Sequence, residues 1–403
     1  MYRSNNLLSL LLGFFVLGCL AMVIGCGGGN NGGQFSSGWK RSFGGPGVNV
    51  GNSIQQTTDG GYIITGQTNS AGAGQFDVYL LRTDAEGNAL WSQTFGGPAD
   101  ENGTSVRQTT DGGFIVAGNT NSFGSGKYDV YLVKTDSQGN VLWSRTFGGT
   151  EDDIASSVRQ TADGGYVIVG TTGEIYSSRV QSNVYLIKTD GNGNAVWTKT
   201  FGQSSINSGN AVQQTVDGGF IVTGTTFDFV SGRNAVYSVK TDLNGEMQWT
   251  KTFEDSSHQM TGISVQQTSD SGYVVLGELN SGADGGEAIV SPILIKMDSG
   301  GNVLWTNTLE APGMSVAAFD STSDGGFIIT GTSGNIPNQS IYLARTDSVG
   351  DMIWLKTLAG TGESSAYVQQ TSDGGYVLVG GTTSYSAGIE GVLVIKTDSN
   401  GEF

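Results

Sequence analysis

Cysteine is almost missing from this chain. In 403 residues there are only Cys19 and Cys26, both near the start. The remainder therefore has no thiol with which to form a disulfide, bind a metal or attack a substrate. Histidine is scarcer still: His258 stands alone, which excludes a multi-histidine metal centre and leaves one candidate base for any Ser-His-Asp arrangement. Basic residues are few, 19 Lys and Arg against 36 Asp and Glu, for a formal net charge of −17. Nucleic acid is excluded as a partner, because phosphate-backbone binding rests on cationic side chains displacing counterions. Proline is sparse at 5 residues and charged residues make up 14%, whereas glycine reaches 66, about twice its usual share. That mixture predicts turn-rich β structure.

At the start, Arg3 precedes an apolar run over 7–25, which resembles a secretory signal with a charged start and an apolar middle. Val23-Ile24-Gly25-Cys26 resembles the lipobox of bacterial lipoproteins, in which the cysteine is lipidated and becomes the new N-terminus. Val16-Leu17-Gly18-Cys19 is a second match, but cleavage there would leave Leu20-Ala21-Met22-Val23-Ile24 on the mature protein. Cys26 is followed instead by Gly27-Gly28-Gly29-Asn30-Asn31-Gly32-Gly33, a flexible polar tether. The expectation is a signal peptide over 1–25, lipidation at Cys26, a tether over 26–37 and a membrane partner through the lipid. The competing reading is an uncleaved span, since 7–25 is just long enough to cross a bilayer. By the same resemblance, Gly27 in place of the aspartate that signals inner-membrane retention points to the outer membrane.

The rest of the chain repeats one motif. Its cleanest copy runs from Asp111-Gly112-Gly113-Phe114 through Lys134-Thr135-Asp136 and Gly139-Asn140 to Trp143. All seven tryptophans, Trp39, Trp91, Trp143, Trp197, Trp249, Trp305 and Trp354, occupy the same slot. Each unit predicts four short strands, in this copy over 105–109, 114–118, 129–135 and 141–147, rich in β-branched and aromatic residues, and nothing resembling a helix. Asp111-Gly112 is a tight hairpin signal, and Asp136-Ser137-Gln138-Gly139 suits a type I turn closed by a left-handed glycine. These two turns hardly vary, while the other two connections vary in length and composition. In a four-stranded meander alternate connections lie at opposite ends, so the variety collects on one face, where binding is expected. The tryptophans read as wedges between neighbouring blades.

The last unit ends before its tryptophan strand, and Gly38-Trp39-Lys40-Arg41-Ser42-Phe43-Gly44 is an orphan copy of that strand. The two fragments can seal a ring and remove two exposed edges. The expected fold class is all-β: a seven-bladed β-propeller of four-stranded antiparallel blades over 38–403, closed by the N-terminal strand completing the last blade, and monomeric. Residues 105–149 resemble the repeat of uncharacterised bacterial and archaeal secreted propellers, and the strand order is similar to quinoprotein-like (PQQ-like) propellers. The resemblance covers nearly all of the chain beyond the tether. Asp270-Ser271-Gly272, Lys296-Met297-Asp298 and the stretch 318–322 depart from the pattern. The resemblance implies the fold and only weakly a function. A quinone-dependent dehydrogenase is disfavoured, because no cysteine pair or clear cofactor motif is present in the mature chain, and no cofactor is expected.

Two local patterns are ordinary turns. Asp190-Gly191-Asn192-Gly193-Asn194 begins like a calcium loop but has Ala195 and Phe201 where glycine and glutamate belong. Gly124-Ser125-Gly126-Lys127 lacks the Ser or Thr of a phosphate loop. The candidate ligand face is carried by the variable connections: Asp152, Asp153, Tyr176, Arg179, Phe229, Arg233 and His258. They suit a binding or scaffold module for a protein or a polysaccharide. The alternative is a glycosidase using loop carboxylates such as Asp152 and Asp153 as acid and nucleophile.

Overall fold

The computed structural model describes residues 38–174, 181–202, 206–281, 289–309, 313–334, 339–358, 360, 362–386 and 388–403. The signal segment, Cys26 and the tether lie outside them. The described residues hold 28 strands and no helix. The first group consists of strands Asn49–Gln56, Tyr62–Thr68, Asp77–Thr83 and Ala89–Phe95, paired antiparallel in order. The order recurs over 101–147, 152–201, 206–253, 259–308 and 314–357. The final group supplies three strands, Glu363–Gln370, Tyr376–Thr382 and Gly391–Thr397, and Trp39–Phe43 pairs antiparallel with the last of these.

Seven separate sheets were expected, and the strands form six. Five are four-stranded, while the third and fourth groups merge into one eight-stranded sheet. The merger rests on a single parallel pairing, Ser182↔Ile206, where two third-strand and first-strand ends lie side by side.

Within each group the middle strands are apolar on both sides. Phe114–Thr120 and Asp129–Thr135 are buried throughout, whereas every residue of Val141–Phe147 is exposed or half-buried. Both faces of a middle strand must therefore meet other sheets. Seven apolar clusters meet that demand, each drawing on two successive groups. Ile63, Val78 and Leu80 pack with Val116 and Tyr131, for example, and the cycle returns when Ile54, Tyr62 and Ile64 pack with Val377, Val392 and Val394.

Every first strand shifts register by one residue against its neighbour, as between Gly103 and Ser105. The partner glycine at such a bulge has a steric reason: a Cβ on Gly118 would lie 2.1 Å from the Asn102 carbonyl oxygen. Six tryptophan rings lie 5.7–6.0 Å from a tyrosine or phenylalanine of the following group. The wedge expectation therefore has a concrete form, with the rings half-buried at the rim. Gly139 serves twice here, taking φ of +82° and leaving no Cβ to strike the Trp91 ring.

The Lys of Lys-Thr-Asp and the Asp of Asp-Gly-Gly prove to be one device. Lys134 pairs with Asp111, Lys188 with Asp163, Lys240 with Asp217, Lys296 with Asp270 and Lys396 with Asp373. Arginine does the same for Asp59 and Asp324. The carboxylate also accepts from the turn: Asp111 Oδ1 takes the Thr109 hydroxyl and the Gly113 amide. Glutamines then tie neighbouring groups, with Gln108 Oε1 accepting from Thr58 N at 2.9 Å, Gln160 Oε1 from Thr110 N at 2.9 Å and, across the two chain ends, Gln56 Oε1 from Ser372 N at 2.8 Å.

Candidate functional site

Strand ends and the connections beside them in the first three groups enclose a cleft of about 340 Å³, lined by Gln67, Phe76, Asp100, Glu101, Asn102, Asn119, Tyr128 and Ile154. The framework beneath it is acidic. Asp77 and Glu101 are each 1% exposed, and Gly96 separates them, since a Cβ there would lie 2.2 Å from Asp77 Oδ1 and 2.3 Å from Glu101 Oε2. The next loop repeats the arrangement with Asp129, Asp153 and Gly148. Burial, reinforced by the Asp153 charge, raises the Asp129 carboxyl.

These acids build loops. Glu101 Oε1 accepts from Thr120 Oγ1 at 2.7 Å and Ser122 N at 3.2 Å, and its Oε2 accepts from Gly97 N at 2.7 Å. Asp100 Oδ1 accepts from Phe76 N at 3.2 Å, holding that ring's backbone at the cleft. Asn102 accepts from Asn52 Nδ2 at 2.8 Å, and Asn119 from Ala155 N at 2.7 Å. What the cleft offers a ligand is two partly exposed rings, Phe76 and Tyr128, with Gln67 and Asp100 beside them. Such a surface suits a polyhydroxylated ligand, whose C–H faces stack on rings while hydroxyls meet amides and a carboxylate.

Asp152 and Asp153 are buried, 2% and 3% exposed. Asp153 Oδ2 accepts from Gly149 N at 2.7 Å, and Asp152 Oδ2 lies 3.8 Å from Lys127 Nζ. As neighbours on one strand they project to opposite faces of the sheet, an arrangement that does not flank a glycosidic bond. Phe229 is 61% exposed and its ring sits 5.3 Å from Phe227 at 85°. Arg233 begins the strand Arg233–Thr241 opposite Asp228. His258 Nδ1 lies 2.7 Å from Asp255 Oδ1, a contact within its own loop. Gln259 joins this loop to the Phe229 hairpin through Asn234 N and Gly232 O. Phe229, Arg233 and His258 thus share one region, while Tyr176 and Arg179 lie outside the described residues. Phe76 and Tyr128 escaped the sequence reading, although each immediately precedes a shared Asp-Val-Tyr.

No family model matches the chain. The regulatory protein FlaEY of Caulobacter vibrioides is 26% identical over 199 residues, and the match spans 43% of this chain but 21% of that protein. Among solved structures, a PL25 ulvan lyase bound to -[GlcA(1-4)Rha3S]- is similar over 89% of this chain and 96% of its own, with a TM-score of 0.58 and 11% identity. A puromycin hydrolase mutant complexed with PGG gives a TM-score of 0.54 at 11% identity, over 88% of this chain and 53% of that one. The polysaccharide lyase Uly1 gives 0.52 at 11% identity, over 89% and 91%. At such identities the likeness concerns the fold: this is an all-β repeat protein with β-propeller-like neighbours.

Proposed function

We propose that the chain is a seven-bladed β-propeller, lipid-anchored to the bacterial cell envelope through Cys26, that binds a polysaccharide segment in the cleft of its variable face. Closure of seven blades is supported by the cyclic order of the apolar clusters and by the pairing of Trp39–Phe43 with the last strand. The lipobox-like Val23-Ile24-Gly25-Cys26 supports the anchor. The observation that carries the binding role is the cleft itself, in which Phe76 and Tyr128 stand partly exposed beside Gln67 and Asp100. A glycosidase reading is the weaker one, because Asp152 and Asp153 are both buried and, as neighbours on one strand, project to opposite faces.

For the binding role, the soluble form lacking residues 1–26 is screened against immobilised polysaccharides. The double variant Phe76→Ala/Tyr128→Ala should lose at least about tenfold in affinity for whichever polysaccharide is retained, given ring contributions of about 0.5–1.5 kcal/mol each beyond area burial. Unaltered retention would remove the cleft from the reading, and release of reducing ends would replace binding by catalysis. For the anchor, metabolic labelling with a clickable palmitate should mark the wild type and not Cys26→Ser. Equal labelling of both would move the lipid elsewhere.

A further inference from the structure

The residue that precedes the linking glutamine in the first strand is itself glutamine in Gln55, Gln213, Gln266 and Gln369, but arginine in Arg107 and Arg159. The first of these cations meets a residue from the far end of the sequence. Arg107 Nη2 donates to the Tyr367 hydroxyl at 2.6 Å, with the guanidinium 5.1 Å from the ring centroid. Arg159 holds the same place in the next group, whose first strand lies beside this one, with Val158 N donating to Ser105 Oγ at 3.3 Å. Each arginine also donates to its own strand, Arg107 Nη1 to Val106 O at 2.6 Å and Arg159 Nη1 to Val158 O at 2.9 Å. Both guanidiniums are thus fixed in direction, and Arg107 is only 9% exposed.

Neither cation is directly ion-paired. Arg82 and Arg345 at the turns each have an aspartate partner, yet among the described residues neither Arg107 nor Arg159 has a carboxylate oxygen within 4.0 Å. The acid whose charge acts on both is Asp320, at the corresponding place in the sixth group, which accepts from Gln266 Nε2 at 2.9 Å and Gln370 N at 3.1 Å. Burial raises the Asp320 carboxyl, and burial followed by the Arg107 charge pulls Arg159 down to about 10. Two arginines at neighbouring places against one acid leave positive charge in excess, which a bound anion would offset. In a chain of net charge −17, such a concentration of positive charge is a specific feature.

The geometry points to an oxyanion site at Arg107, Arg159 and Tyr367, taking a carboxylate or a sulfate group. The guanidinium fork matches both, offering parallel N–H donors to two oxygens, and the tyrosine hydroxyl adds a third direction of contact. The inference rests on these three residues and is independent of the Phe76 and Tyr128 cleft.

The test uses the full chain in detergent at pH 7 and constant ionic strength, titrated calorimetrically with sodium sulfate and, separately, with sodium glucuronate. Saturable one-site binding of either probe is expected, with a rise in the thermal midpoint that follows its concentration. Arg159→Gln and Arg107→Gln should each weaken it by at least tenfold. Both variants should fold, because glutamine is the residue that other groups carry at this place. Saturation by sulfate alone assigns a tetrahedral anion, and saturation by glucuronate a sugar carboxylate. Failure of the wild type to bind either probe would overturn the site. So would glucuronate binding that survives both arginine variants and disappears in Phe76→Ala/Tyr128→Ala, since that binding would belong to the cleft.

Discussion

Deletion of Trp39–Phe43 should turn one sharp unfolding transition into a broad one that starts at lower temperature. Five register pairs, from Trp39↔Lys396 to Phe43↔Val392, join this strand to the end of the chain. The Trp39 ring lies 5.7 Å from Tyr62, and its Nε1 donates to Ala85 O at 3.2 Å. One short strand therefore touches the last group and the first. Lys40 Nζ lies 2.6 Å from Glu363 Oε1, and the Glu363 side chain is fully buried. Removing one partner of a buried ion pair costs roughly 3–5 kcal/mol. Loss of a half-buried tryptophan, about 100 Å² of apolar surface, adds about 2.5 kcal/mol. Together these are comparable with the 5–15 kcal/mol that holds a typical domain. Differential scanning calorimetry of the wild type, the deletion, and the deletion supplemented with a peptide of residues 38–44 reads the effect. Recovery of the sharp transition by the peptide is expected. An unchanged transition in the deletion would show that the strand does not seal the molecule.

Much of this architecture was legible because strands and turns are written in adjacent residues. The strand expected over 141–147 is Val141–Phe147, and that over 129–135 is Asp129–Thr135. The first strand was read from 105, yet it begins at Glu101. Glu101, Asn102 and Gly103 look like loop, and the bulge after Gly103 breaks the alternation that would reveal a strand. The ion pair of Asp111 with Lys134 was invisible for another reason: it joins the turn after one strand to the end of a strand that returns beside it, and no local pattern announces such a contact. The candidate site was the least legible. Its rings, Phe76 and Tyr128, come from different groups and converge only through packing. The buried acids near them, by contrast, resembled exposed loop charges. Surface exposure of a carboxylate is decided by which glycines let the backbone close over it, here Gly96 and Gly148.

A large single-residue effect is also expected at the turn ion pairs, and Asp163→Ala should destabilise by about 2–3 kcal/mol. The asymmetry of the pair determines this size. Side-chain exposure is 7% for Lys188 and 64% for Asp163, so removing the aspartate strands a buried ammonium with only the Thr189 carbonyl at 2.8 Å. A fully buried pair would cost 3–5 kcal/mol to break, and the exposure of Asp163 to screening water reduces that figure to roughly 2–3 kcal/mol. Adding Lys188→Met should restore most of the loss, because an apolar side chain of similar length needs no counter-charge. Acid should act on the same pairs. Burial alone would raise the Asp163 carboxyl, but bonds from Lys188, Thr161 and Gly165 overcome it and hold the group at about 2, against an ordinary 3.8. Asp111 and Asp217 are likewise held at about 2. A folded value below the unfolded one adds stability that is complete above about pH 4 and is lost as pH falls toward 2. Urea midpoints measured from pH 6 to pH 2 should therefore fall over that window in the wild type, and fall less in Asp163→Ala. A double variant no more stable than Asp163→Ala, or an acid profile unaffected by the substitution, would show that these pairs do not hold the turns.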